Sequence, residues 1–104
     1  MQNLFDLSES VAVVTGAGGA MGNVIAVGLA AYGADVVVVG HKNKERMSKT
    51  LSQIRALGRK ALEIYCDVAS QEDVDRLLKA TLDEFGHADI LVNGAGYTFR
   101  TDAP

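Results

Sequence analysis

The run Val11-Ala12-Val13-Val14-Thr15-Gly16-Ala17-Gly18-Gly19-Ala20-Met21-Gly22 joins an apolar strand to a helix of small residues through a glycine-rich turn. That order suits a cradle for a nucleotide pyrophosphate. Glycines allow the backbone positive φ and close approach to a ligand, and the first N–H groups of the following helix have no partner inside it and point at an anion. The candidate contacts are Gly16, Gly18, Gly19, Met21 and Gly22. A second place for chemistry is the Gly40-His41-Lys42 step, where the next apolar run ends with cationic character and no carboxylate. A phosphate could sit there, since lysine serves as a point charge for that group.

Other nucleotide and metal patterns fail on spacing. A G-x-G-x-x-G fingerprint starting at Gly16 would need glycine where Met21 stands, and a P-loop needs a Gly-Lys step that occurs nowhere in the chain. The single Cys66 permits no internal disulfide, and with only the distant His41 and His87 it makes no zinc pattern. With a formal net charge of −3 and no basic block beyond Lys42-Asn43-Lys44-Glu45-Arg46, we expect no nucleic-acid partner. That cluster suits a solvated helix start or a local phosphate contact. The first residues lack the basic and apolar regions of a signal peptide, and no apolar run has the length to span a bilayer. We therefore expect a cytoplasmic protein with no membrane partner.

The elements that must position these residues alternate along the chain. Val11–Val14, Val36–Val39 and Ile90–Val92 are short and apolar on both faces, as in central strands of a parallel sheet covered by helices. Ala61–Cys66 alternates, with Glu63 and Tyr65 on one face, which suits an edge position. Between the strands run helical periods. Ile25, Leu29 and Tyr32 share a face before Gly33, Met47, Leu51 and Ile54 share one before Gly58, and Val74, Leu77, Leu78, Thr81 and Phe85 share one before Gly86. Ser70 with Asp73 forms a start resembling a capping box. The order βαβαβαβ with right-handed crossovers predicts an α/β fold of Rossmann type, a parallel sheet of order 3-2-1-4 with helices on both faces. The 104 residues form one unit, with no internal linker, repeat or second domain.

Three motifs together resemble the short-chain dehydrogenase/reductase family. Thr15, Gly16 and Gly22 match its Thr-Gly-x-x-x-Gly-x-Gly turn, with Ala20 in the middle glycine position. Asp67-Val68, after the third strand, is similar to the pair that holds the adenine ring in that family. Leu91-Val92-Asn93-Gly94-Ala95-Gly96 resembles its Asn-Asn-Ala-Gly segment after the fourth strand, with Gly94 replacing the second Asn. The resemblance implies that Asn93, Ala95 and Gly96 line the ribose side of a dinucleotide and that Asp67 and Val68 hold its adenine. Where an acidic residue after the second strand would select NAD, this chain has His41 and Lys42, which favours NADP, with NAD the alternative.

The family's activity is hydride transfer between a nicotinamide and a carbonyl or alcohol. Its proton-transferring Tyr is followed by Lys in a Tyr-x-x-x-Lys pattern, and a Ser orients the substrate. None can be assigned here, since the residues four beyond Tyr32, Tyr65 and Tyr97 are Val36, Ala69 and Thr101. The expectation is therefore a partial NAD(P)-binding domain over residues 1–104, lacking the C-terminal catalytic half and showing no turnover alone. Such a unit self-associates through the edge of the fourth strand or is completed by a C-terminal half. A non-catalytic nucleotide-binding or self-associating module is the alternative. Leu4-Phe5-Asp6-Leu7-Ser8 and Phe99-Arg100 are similar to members acting on sugar acids and polyols.

Overall fold

A computed structural model describes residues 6–41 and 44–94. Among the described residues four strands and three helices alternate, as β1 (Val11–Thr15), α1 (Ala20–Ala31), β2 (Asp35–Gly40), α2 (Lys44–Ala56), β3 (Ala61–Tyr65), α3 (Gln71–Phe85) and β4 (Ile90–Asn93). The sheet has the order β3-β2-β1-β4, with every pairing parallel. β1 and β2 are central, and their apolar runs, Val11–Val14 and Val36–Val39, follow from burial on both faces.

Strand alternation splits the core into two layers. Val14, Val36 and Val38 face Ala26 and Ala30 of α1 and Met47, Leu51 and Ile54 of α2. Val11, Val13, Val37 and Val39 face the other way, toward Leu77 of α3 with Val74 and Phe85 packed beside it. Helices therefore cover both sides, and the doubly wound architecture places the carboxyl ends of β1 and β4 next to each other, with Thr15 opposite Asn93.

The helix boundaries follow local chemistry. The Ser70 hydroxyl accepts the Asp73 N–H at 3.3 Å, and Gly86 closes α3 in the left-handed conformation, φ +83°. Gly33 and Gly58, at φ +108° and +82°, perform the same turn after α1 and α2.

Two expected stripes differ. In α1 the face against the sheet is Gly22, Ala26 and Ala30, while Ile25 and Leu29 flank it half-buried and Tyr32 is exposed. Small residues let this helix lie close to β1 and β2, so the largest side chains are displaced to its sides. In α3, Leu77 and Thr81 are buried but Leu78 is 49% exposed, because it lies toward β4 beyond the sheet's covered area.

Candidate functional site

The glycine turn leaves the carboxyl end of β1 and enters α1. Of its glycines only Gly16 has positive φ, +66°, which reverses the chain after the strand. Gly19 is extended at φ −78°, ψ 168°, and serves as the N-cap of α1 without a side-chain cap. Gly22 is required for a different reason. A Cβ there would lie 2.0 Å from the Gly16 carbonyl oxygen and 2.7 Å from its carbon, so the first turn of α1 touches the loop backbone directly.

Two backbone bonds hold the turn closed. The Gly19 N–H donates to the Gly16 carbonyl at 3.0 Å, and the Ala17 N–H donates to the Val39 carbonyl at 3.1 Å, tying the loop to the end of β2. The first i to i−4 bond of the helix runs from the Asn23 N–H to the Gly19 carbonyl at 2.9 Å. The N–H groups of Ala20, Met21 and Gly22 therefore precede it, and the first turn contains no acidic residue to occupy the positive end of the helix. Met21 is 72% exposed on this turn.

A side-chain network fastens the loop to α2. The buried Thr50 hydroxyl donates toward the Ala17 carbonyl at 2.9 Å, with the Arg46 carbonyl 3.1 Å away, and accepts the Asn23 side-chain amide at 2.7 Å. The same amide donates to Gln53 Oε1 at 2.8 Å. Thr50, Asn23 and Gln53 carry no motif in the sequence. The usable signal was helical spacing, since Arg46, Lys49, Thr50 and Gln53 stand at i, i+3, i+4 and i+7 along one side of α2.

The candidate residues divide between two depressions. Gly18, Gly19, Ala20, Asn23, Arg46 and Lys49 border a groove of about 400 Å³ between the turn and α2. On the opposite side of the sheet, Thr15, Val68 and Asn93 border a mostly apolar groove between α3 and β4. Asn93 is held by the Thr15 hydroxyl, which donates to its Oδ1 at 3.0 Å. Gly94 follows so closely that a Cβ would stand 2.9 Å from the Thr15 carbonyl oxygen, which accepts the Gly94 N–H at 3.1 Å. Glycine at this place thus keeps the backbone bond between β4 and the turn.

Asp67 is exposed and forms a turn of its own. Its Oδ1 accepts the Ala69 N–H at 2.9 Å, and its N–H donates to Asp73 Oδ2 at 2.9 Å. That backbone bond, aided by Arg76, holds the Asp73 carboxyl below its ordinary range, and His41 contributes from across the loop. His41 is exposed at the end of β2. Lys42, Ala95 and Gly96 lie outside the described residues.

The apolar groove between α3 and β4 borders the sheet edge. Among the described residues β4 pairs with β1 alone, and Leu91 is 73% exposed beside Leu78 and Val68. Asp89, just before β4, has a structural place: its Oδ2 accepts the Val11 N–H at 2.9 Å. Among the described residues no group of three His, Cys, Asp or Glu could hold a metal, and no helix is long and apolar enough to cross a membrane.

Residues 10–103 match the family model for short chain dehydrogenase. Over 99 residues the chain is 41% identical to 2-dehydro-3-deoxy-D-gluconate 5-dehydrogenase of Escherichia coli strain K12, covering 95% of this chain and 38% of that protein. It superposes on NAD+-bound xylitol dehydrogenase with a TM-score of 0.82 and 35% identity, over 91% of this chain and 35% of that one. An Escherichia coli hydroxysteroid dehydrogenase gives a TM-score of 0.79 at 34% identity, over 86% of this chain and 37% of that one. The chain thus spans well under half the length of these relatives.

Proposed function

The chain belongs to the short-chain dehydrogenase family, and on that premise we propose that it is the NADP(H)-binding part of an oxidoreductase that moves a hydride between a nicotinamide and a carbonyl or alcohol. The observation that carries this reading is the α1 entrance. A turn closed by Gly16 and Gly22 brings three helix N–H groups to the carboxyl end of β1, with no acidic residue in that first helical turn. A pyrophosphate supplies the missing negative charge.

The residues fit a dinucleotide. Gly16, Gly18, Gly19, Met21 and Gly22 cradle the phosphates, Asp67 and Val68 flank the adenine, and Asn93, with Ala95 and Gly96, lines the ribose on the nicotinamide side. His41 and Lys42 receive the 2′-phosphate that distinguishes NADP, since they stand directly after β2 where a carboxylate would select NAD. NAD is the second reading, favoured by the NAD+-bound state of the xylitol dehydrogenase to which the fold is similar. When bound, the nicotinamide donates or accepts the hydride. The substrate class we infer is a polyhydroxylated acid or polyol, supported by similarity to a deoxygluconate dehydrogenase and to xylitol dehydrogenase.

We also infer that residues 1–104 do not turn over alone, because no Tyr-x-x-x-Lys is present. The exposed apolar side of β4 is covered by a second copy or by a C-terminal half. The test of the binding reading is a fluorescence titration of this chain with NADPH and with NADH. Saturation with NADPH tighter than NADH supports it. Tighter NADH transfers the assignment to NAD, and no saturation with either up to millimolar concentration refutes binding. For the covered face, sedimentation at tens of micromolar is decisive, since a clean monomer would contradict self-association.

A further inference from the structure

We propose that Arg55 and Arg76 close the outer edge of β3 to strand addition, so that this sheet takes a further strand at its β4 side only. The proposal needs neither a cofactor nor a particular partner at β4.

Which groups of β3 face outward follows from its pairing. Among the described residues β3 pairs with β2 alone. The Lys60 carbonyl accepts the Val36 N–H, and the Cys66 N–H donates to the Gly40 carbonyl, so residues 60 and 66 direct their backbone groups at β2. Successive residues of a paired strand turn their backbone groups to alternate sides. Leu62 and Ile64 therefore face β2 as well, and Ala61, Glu63 and Tyr65 turn theirs outward. An outward row of this kind is a template for another strand.

Both ends of the row are occupied by arginine. Arg55 Nη2 donates to the Ala61 carbonyl at 2.9 Å, and Arg76 Nη2 donates to the Tyr65 carbonyl at 2.8 Å. The two cations come from opposite faces of the sheet, since α2 packs on the side of Ala61 and Tyr65 and α3 on the side of Leu62 and Ile64. A strand approaching in the plane of the sheet has to displace both. Arg76 is further held by Asp73, with Nη1 3.0 Å from Oδ1.

Glu63 stands between the two arginines at the middle of the strand, and its carboxylate accepts the Tyr65 hydroxyl at 2.8 Å. A second copy pairing about a two-fold axis at this residue would set two carboxylates opposite each other, which opposes association. The β4 side has no such guard. No Arg or Lys is among the residues lining its groove, and the one charged residue there, Asp89, is bonded to the Val11 N–H.

The experiment is sedimentation velocity of the full chain at concentrations reaching tens of micromolar. Leu91→Lys silences the β4 edge, and Arg55→Ala, Arg76→Ala and the pair are added to that background, with circular dichroism melts to confirm folding. The expected result is self-association strengthened about tenfold when both arginines are replaced, as befits hydrogen bonds from two freed carbonyls, and by less for each alone. Adding Glu63→Pro should return association to the level of Leu91→Lys. Proline is tolerated there because the N–H of residue 63 faces away from β2, and it blocks an added strand. If the double replacement does not fold, Arg55→Ala alone, which leaves the Arg76–Asp73 pair in place, gives the same test. No gain in folded variants overturns the proposal, and so does a gain that persists with Glu63→Pro. A wild-type chain that sediments as a monomer counts against self-association through β4 and leaves the β3 comparison intact.

Discussion

The substitution Gly22→Ala tests whether the seat of α1 on the glycine turn is both structural and functional. A methyl group at this position would stand 2.0 Å from the Gly16 oxygen, 2.7 Å from the Gly16 carbon and 3.0 Å from the Ala17 Cα. All three are backbone atoms, so no side chain can rotate away, and a gap on the order of 1 Å must open between helix and loop. Gly16 has little freedom to yield, because its carbonyl accepts the Gly19 N–H and Ala17 is bonded to Val39. Overpacking of this kind costs roughly 1–3 kcal/mol, at the upper end where backbone must move. Alanine's better helix propensity offsets about 1 kcal/mol of it. The net loss of about 2 kcal/mol corresponds to a fall in Tm of roughly 10 °C for a domain of this size.

Gly28→Ala is the internal control. It lies in the same helix and gains the same propensity, but a Cβ there meets nothing within 4 Å. It should raise Tm by a few degrees, on the order of 1 kcal/mol. The difference between the two variants, read by circular dichroism melts, isolates the contact with Gly16. At a temperature where both are folded, Gly22→Ala should also bind NADPH and NADH at least about tenfold more weakly, since the shifted turn misplaces the helix N–H groups. Equal melting of the two variants would refute the packing argument. A large fall in Tm with binding unchanged would refute the placement of the phosphates on this turn.

Thr50→Val keeps the shape of a fully buried side chain but removes the hydroxyl between Ala17 and Asn23, and should cost roughly 1–3 kcal/mol in a urea titration. His87 bridges the Phe85 and Glu9 carbonyls through its two ring nitrogens at 3.1 Å each, with Asp89 also 3.1 Å from Nε2, and the Glu9 carbonyl above all raises its pKa above 6.5. A raised folded-state pKa means that its stabilisation is fully present below 6.5 and is lost as pH rises through the higher folded value. Melts across that window should therefore show a pH-dependent fall in wild type that flattens in His87→Gln, and an identical slope in both would exclude this role. Cys66 is buried at the end of β3, where desolvation pushes its thiol pKa up, so a thiol reagent at neutral pH should react slowly until denaturant is added. Rapid labelling of the folded chain would contradict its burial.

The fold was legible because its strongest signals are local. Valine runs, an alternating third strand, the Ser70 cap and the glycines at 33, 58 and 86 each state an element or its end, and right-handed crossovers leave few ways to assemble them. In α1 the spacing of Ile25, Leu29 and Tyr32 marks a face but not which side of the helix lies deepest against the sheet. Close approach of helix to sheet instead selects Gly22, Ala26 and Ala30, whose value lies in the atoms they lack. Leu78 differs for another reason, since a helical stripe records which side is apolar but not how far the sheet beneath it extends. The site divides the same way. Among the candidate residues, Gly16, Gly22 and Asn93 are legible because each answers a backbone demand or sits in a fixed motif, whereas Asn23, Thr50 and Gln53 belong to two helices that meet only in three dimensions. Their spacing along α2 was present in the sequence, but a stripe of Arg, Lys, Thr and Gln reads as a solvated face until the partner helix supplies Asn23.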